Sequence, residues 1–545
     1  MRTFLNHCLF FISFLFFFGT YGQSESFEEL KSLELMDQIY EHLDMYFVDE
    51  VAHGKLSKTA IDAMLKELDP YTVYYHEANI EDYRLMTTGQ YGGIGALIGT
   101  MDNEIYITDP YEGNPAQKAG LQAGDKILRI DKKSFSGKTV EEASNALKGP
   151  KGTQVSLEVE RNGKAIVVDV MRDEIKIPDI PYAGMLSEKT GYVSLSSFTQ
   201  TAGEEVKKNI QELQSKGMTS MILDLRGNGG GLLMEAVKIV GFFVPKGQVV
   251  VTTKGRSKQE NMVYKTLEAP IAEKLPLVIL IDEGSASASE IVAGALQDLD
   301  RAVVVGNTSY GKGLVQRTFD LKYGSKMKLT IAKYYTPSGR CVQRLEYYDD
   351  ANGGKPTEIA DSLLQKFTTK NGRQVIDGRG IEPDIKIEDS IYSDYTRTLI
   401  NKHHIFHYAT TFRNTHPSIA SAETFELSTN EIEEFRNYLK NKGFVYTSPE
   451  LRALERIKVE LEKKQQFQSV SSEFSALNDK LINATSTYFD LNKTEIKGLL
   501  EHEIIGRYYF QKGQNIYAFK SDEVVTRSVE ILTNEALYKS TLHIK

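Results

Sequence analysis

The sequence predicts a multidomain α/β protein, and three observations carry that expectation. Between residues 182 and 335, apolar strand-like runs alternate with helical patterns across Gly- or Ser-bearing turns, the signature of a largely parallel sheet. Between residues 91 and 172 the period shortens to two, as in a small mixed domain of short strands. The chain has 545 residues, which at roughly 150 residues per domain asks for about three or four domains. With 41% hydrophobic and 26% charged residues and only 14 Pro among them, composition excludes disordered and collagenous classes.

Taken in order, the chain opens with Arg2, an apolar run at residues 8–18, the small stretch Gly19-Thr20-Tyr21-Gly22 and then polar Gln23 to Ser26. This is the layout of a secretory signal over residues 1–22, with a retained signal anchor as the alternative. The run is short for a bilayer span, and nothing later offers roughly 20 consecutive apolar residues. Losing residues 1–22 removes Cys8, one of the two cysteines, and leaves Cys341 alone. An exported protein with one thiol holds no internal disulfide and no lipid anchor on a cysteine after the cut, so a soluble periplasmic or secreted protein is expected. The formal charge of −9 and a pI near 5.7 give no electrostatic reason to expect nucleic acid.

Residues 23–90 read as an N-terminal helical segment, because Leu30, Leu33, Leu35, Met36, Ile39, Tyr40 and Leu43 recur near 3.6 spacing and Leu68-Asp69-Pro70-Tyr71 ends a second helix. Within residues 91–172, strands are expected around Ile105 to Ile107, Lys126 to Ile130 and Val155 to Val159, with a short helix at Val140 to Leu147. In the α/β region, strands at residues 221–225 and 277–281 feed helices at 232–243 and 287–296, and a strand at 302–305 follows the second helix. Sites in such sheets lie at the carboxyl ends of the strands. After about Glu346 the chain is rich in Lys, Glu, Asn and Gln, with helical patterns at 451–462 and 530–542 and no convincing repeat.

Four features bear on chemistry. Glu283-Gly284-Ser285-Ala286-Ser287-Ala288-Ser289-Glu290 stands at a strand-to-helix turn whose small residues admit a substrate backbone beside a hydroxyl. The alternative is structural, since Ser287 and Glu290 have the spacing of a capping box. Asp224-Leu225-Arg226-Gly227-Asn228-Gly229-Gly230-Gly231 can aim bare N–H groups at a phosphate or an oxyanion, or can simply be a tight turn; it lacks the Lys-Ser/Thr ending of a phosphate-binding loop. Lys312 lies between glycines in Tyr310-Gly311-Lys312-Gly313, which suits a solvated loop; buried in apolar surroundings, its amine would lose its proton near neutral pH and could take the proton of a serine. Finally, no His occurs between residues 77 and 402, so a Ser-His-Asp site would need a His from another domain, and a lysine base is favoured. His403, His404 and His407 could share a helical face as metal ligands, but without acidic or thiolate neighbours they read as a solvated surface.

Together these residues resemble the carboxyl-terminal processing proteases, the tail-specific serine proteases of peptidase family S41 with an embedded PDZ domain. The resemblance covers about residues 30–390 and includes Thr336-Pro337-Ser338-Gly339-Arg340 and Gly380-Ile381-Glu382-Pro383-Asp384. It implies a crotonase-like α/β protease core at 173–390, a PDZ domain at 91–172, an N-terminal helical segment at 23–90 and a mainly helical C-terminal extension at 391–545. By motif position, it makes Ser287 the nucleophile and Lys312 its general base, with Gln316 orienting the lysine and the amides of Gly230 and Ala288 forming the oxyanion hole. Gly93, Ile94 and Gly95 match the loop that holds a chain-terminal carboxylate, beside which a substrate tail adds as a strand.

The resemblance implies protein or peptide substrates with accessible C-terminal tails, and no metal or organic cofactor. Adaptor binding or self-association is assigned to the C-terminal region. Two departures stand out: Gly229 replaces the family's usual proline in the glycine turn, which loosens it, and Cys341 stands where a serine is common. The alternatives are a catalytically silent PDZ scaffold whose Ser287 is only a cap, and an acyl hydrolase on the same core.

Overall fold

The computed structural model describes residues 23–77, 80–347, 355–388, 392–485 and 487–544; the expected signal at 1–22 lies outside them. Among the described residues no helix is long and apolar enough to cross a membrane. The chain forms two units, one comprising the residues up to His76 with Thr318–Leu329, the other Glu77–Arg317 with Thr330 onward. In the first, helices Gln23–Tyr46 and His53–Lys66 precede a strand, Val73–Tyr75, that pairs antiparallel with Lys326 to Lys328. Asp69 accepts the N–H groups of Tyr71 and Thr72 at 2.7 and 2.8 Å, which turns the chain after the second helix. The apolar stripe of the first helix stays exposed at Leu30, Leu33 and Ile39.

In the second unit, strands Ala96–Met101, Glu104–Pro110, Lys126–Ile130, Gln154–Arg161 and Lys164–Met171 form an antiparallel sheet in that spatial order. Alternate residues such as Ile105, Ile107, Ile127, Val155, Leu157 and Val159 are fully buried, as the period of two requires. The helix Val140–Leu147 closes this core under a capping box of Thr139 and Glu142. A separate ladder, Gln90–Gly93 with Asp173–Lys176, brings the two ends of the module together.

The central sheet runs in the order Tyr182–Met185, Thr190–Ser194, Ser220–Asp224, Leu277–Ile281, Val303–Gly306, Ile385–Lys386, parallel throughout except for its first pair. Its strands are apolar at consecutive positions because both faces are covered. Val193, Leu223, Ile279 and Val304 face the helices Ala202–Ser215, Leu233–Gly241 and Ala288–Asp298. Tyr192, Ile222, Val278, Leu280, Val303 and Val305 face the other way, onto Val524, Val525, Ile531 and Leu542.

The cover of that second face therefore comes from the end of the chain. Residues 530–542, expected as one helix, are two: Glu523–Thr533 and Glu535–Thr541. Asn534 separates them, its side chain accepting the N–H of Leu537 and so starting the second helix. Earlier helices of the extension, including His404–Thr415, Thr429–Asn441 and Lys493–Ala518, build a core of their own around Phe412, Phe435, Ile496, Leu500 and Ile504.

Because Ile531 is fully buried against the sheet, Ile531→Ala is expected to destabilise the protein by about 2–5 kcal/mol, read from urea unfolding. A loss below about 1 kcal/mol would mean that the end of the chain does not complete the core.

Candidate active site

Three turns converge at the carboxyl edge of the sheet. The glycine turn follows the strand ending at Asp224, the serine turn follows Ile281, and the lysine segment follows Gly306. Side chains lace the first two together. Asp282 Oδ1 accepts the N–H groups of Gly227 at 2.8 Å and Gly284 at 2.9 Å. Ser285 Oγ donates to Leu225 O and Ser289 Oγ to Asn228 O, each at 2.8 Å. Both of those serines are fully buried, whereas Ser287 between them remains partly exposed. Of the three serines in the motif, Ser287 alone reaches the surface.

Ser287 has φ 57° and ψ −111°, outside the left-handed well that non-glycine residues occasionally occupy. Such a conformation costs about 1–3 kcal/mol and persists only where surrounding bonds impose it. Its N–H donates to Glu290 Oε2 at 2.8 Å, while its carbonyl accepts the N–H of Ile291 at 2.9 Å and the hydroxyl of Tyr334 at 3.2 Å. Glu290 thus supplies its half of the expected capping box, and it does more than cap. The same Oε2 accepts the N–H of Lys312 at 2.8 Å, and Oε1 accepts the Gly311 N–H at 2.7 Å and the Ser309 hydroxyl at 2.6 Å. Glu290 is fully buried; burial pushes its carboxyl up, and the four donors pull against that shift.

Lys312 is partly buried rather than held in a solvated loop. Its backbone lies tightly against the irregular segment after Arg340: Gly313 N–H donates to Gln343 Oε1 at 2.7 Å, and a β-carbon at Gly313 would fall 2.7 Å from Gln343 N. Gln316 Nε2 donates to Thr330 Oγ1 at 3.2 Å on the neighbouring strand. Ala288 is the first residue of the helix that Ser287 heads, so its N–H is among the first-turn donors that intrahelical bonds leave over. Gly230 abuts both: a β-carbon there would lie 2.8 Å from Ser287 Cβ and 2.9 Å from Ala288 N, and its φ is +101°. In this structure, however, the Gly230 N–H donates to Asn228 Oδ1 at 2.8 Å. Asn228 is fully buried, with its Nδ2 donating to Leu195 O, so this amide is turned toward the protein's own side chain.

In the small module, Gly93 ends a ladder strand and Ile94 is buried in the core, which leaves only backbone from Ile94 to offer a ligand. Gly95 has φ +73° and leads into Ala96–Met101, an edge strand of the sheet with the helix Val140–Leu147 against it. His404 and His407 are half-buried rather than fully solvated. They pack on Phe444 and Tyr106 with ring centroids 5.0 and 5.6 Å apart, and burial lowers both pKa values. No group of three or more His, Cys, Asp or Glu suited to a metal occurs among the described residues.

Residues 189–352 match peptidase family S41, residues 106–161 match the PDZ domain, and residues 395–532 match the helical C-terminal domain described for probable PDZ-proteases. A carboxy-terminal-processing protease of Bartonella bacilliformis is 38% identical over 319 residues, covering 57% of this chain and 73% of that protein. The chain belongs to peptidase family S41. A probable CtpA-like serine protease of Staphylococcus saprophyticus is 30% identical over 427 residues, 75% of this chain and 86% of its own length. Among solved structures, a photosystem II D1 C-terminal processing protease aligns over 65% of this chain and 88% of its own, at 25% identity and a TM-score of 0.38.

In this S41 serine-type peptidase the family motifs outside the turns are scaffolding. Arg340, 1% exposed, donates to Gln297 Oε1 at 2.7 Å and Asp298 Oδ1 at 2.9 Å, fixing the far end of the helix that Ser287 begins. Asp384 accepts the N–H of Val304 at 2.8 Å and so holds the strand before the lysine segment. The sequence reading missed Asp282 and Asn228 as the links between turns, and saw Glu290 only as a cap. The signal was present in part: a carboxylate and an amide within apolar, glycine-rich surroundings must find donors when buried. Glu290→Gln puts an NH2 group against backbone donors and is expected to cost roughly 2–4 kcal/mol of stability, one or two donors being left unmet at about 1–3 kcal/mol each. An unchanged urea midpoint would contradict the bridging role.

Proposed function

We propose that this peptidase is exported and cuts proteins near their C-terminal tails, using Ser287 as nucleophile and Lys312 as its base. The observation that carries the reading is the single buried oxygen, Glu290 Oε2, that accepts both the Ser287 and the Lys312 amides. It supports a dyad because both backbones answer to one fixed atom. Lys312, in its neutral form, takes the proton of Ser287 Oγ as that oxygen attacks the scissile carbonyl carbon. The resulting oxyanion is received by the Ala288 N–H and by the Gly230 N–H once it leaves Asn228. Collapse breaks the C–N bond, and Lys312 returns its proton to the departing amine. Water, with Lys312 again as base, then hydrolyses the acyl ester on Ser287. Gln316 steadies the strand beside Lys312. No cofactor takes part.

Tail selection is assigned to the PDZ module. The edge strand Ala96–Met101 offers its unpaired side to an extended peptide, and the Gly93-Ile94-Gly95 loop, placed at that strand's start, receives the terminal carboxylate. Export rests on the signal-like layout of residues 1–22. Ser287→Ala and Lys312→Ala are each expected to lower cleavage of an unstructured polypeptide with an apolar tail by at least about 10²-fold, with tail binding retained. Equal cleavage by wild type and both variants would sink the dyad; binding without cleavage by wild type would instead support a silent scaffold.

A further inference from the structure

We propose that Asp522, in the C-terminal helical region, is a positioning residue for the glycine turn, acting through Arg226. The proposal rests on the hydrolytic reading of the Ser287 site. Arg226 stands at the entrance to the turn, and its guanidinium is shared between two carboxylates. Its Nη2 meets Asp224 Oδ2 at 2.6 Å and Asp522 Oδ2 at 2.8 Å, while its Nε lies 3.0 Å from Asp224 Oδ2. Asp224 and Asp522 are 6% and 16% exposed, so these charge-assisted bonds are largely shielded from water. Burial opposes the charge on Arg226, and the two carboxylates overcome that cost and hold it firmly protonated.

The two anchors differ in kind. Asp224 is two residues from Arg226 and shapes the entrance locally, its Oδ1 also accepting the Arg226 N–H at 2.8 Å. Asp522 reaches in from 296 residues away and fixes the guanidinium from the other side. Asp522 is itself held, because its Oδ1 accepts the Val525 N–H at 3.0 Å and caps a helix whose Val524 and Val525 are buried on the sheet. Three residues earlier, Phe519 packs edge-on against Tyr192 with centroids 4.8 Å apart, and the Tyr192 hydroxyl donates to Asp224 Oδ2 at 2.5 Å. One segment therefore touches both partners of Asp224.

The turn it steadies has particular need of outside support. Residues 227–231 are Gly-Asn-Gly-Gly-Gly, with no proline and no β-carbon except that of Asn228, so the backbone has little preference of its own. Its shape must be imposed from its ends and by its neighbours. Asp282 and Asn228 hold the side toward Ser287, and the Arg226 fork holds the entrance. Gly230 lies against Ser287, so a shift at the entrance is felt where the oxyanion forms.

The test is Asp522→Ser, which keeps a good helix cap and removes the carboxylate from Arg226. With a tail-bearing peptide, kcat should fall by about tenfold while KM stays within about twofold and the melting temperature holds, since small misplacement near the reacting centre costs rate. In an Arg226→Lys background, which loses the fork, the same substitution should cause little further loss. A wild-type kcat in Asp522→Ser would overturn the proposal. So would a loss that tracks melting temperature or KM alone, or equal losses in both backgrounds. Ser287→Ala, run alongside, separates the two readings: if it is inactive, an unchanged Asp522→Ser sinks only the positioning role; if it still cleaves, the Ser287 reading and the positioning role fall together.

Discussion

A carboxylate at 0% exposure is costly to bury unless its oxygens are fully engaged, and Glu290 meets that demand with four donors. One comes from the serine turn and three from the lysine segment, so the cheapest state for this charge is the one in which the two segments are joined. The strained backbone of Ser287 is a consequence, imposed by a bond to its N–H. So is the approach of the Lys312 backbone, which depends on a fixed oxygen rather than on the freedom of a long side chain. The 25-residue interval between Ser287 and Lys312 has the same origin: it is one helix, one parallel strand and the return to the same edge of the sheet.

The turns can be fixed this finely because the sheet beneath them is covered on both faces. Three helices of the α/β region cover one, and the end of the chain covers the other. The C-terminal region therefore has two characters. Its earlier helices surround a core of their own, whereas residues after about Phe519 belong structurally to the hydrolase sheet and reach the Tyr192, Asp224 and Arg226 cluster. The glycine turn, soft by composition, sits between these supports. In the described state the Gly230 amide is bonded to Asn228, and the proposed mechanism requires substrate to draw that amide across.

What could be read in advance followed from periodicity and from short-range chemistry. The strand Leu277–Ile281 and the helix Val140–Leu147 were legible to the residue because the first is a continuous apolar run too short for a helix and the second carries helical spacing. The three turns were legible as places for chemistry, since parallel sheets put their sites there. The partners that hold those turns were not. Asp282, Asn228 and Asp522 act across folded distance, and nothing local separates a carboxylate that bridges two turns from one that faces water. The half-burial of His404 and His407 was hidden for the same reason: polar side chains just after Lys402 look solvated until Tyr106 and Phe444 are seen against them. The split at Asn534 was hidden because its flanks both carry helical spacing, and only the cap it forms breaks them.

The central claim is that Ser287 becomes acylated with Lys312 taking its proton, and intact-mass measurement of a single turnover tests it most directly. A short peptide ester with an apolar side chain is mixed with the protein, quenched in acid and the adduct mapped by digestion. The account predicts an acyl group on the peptide carrying Ser287, formed at least about 10²-fold more slowly in Lys312→Ala. An adduct elsewhere, or acylation of Ser287 at the wild-type rate without Lys312, would contradict it.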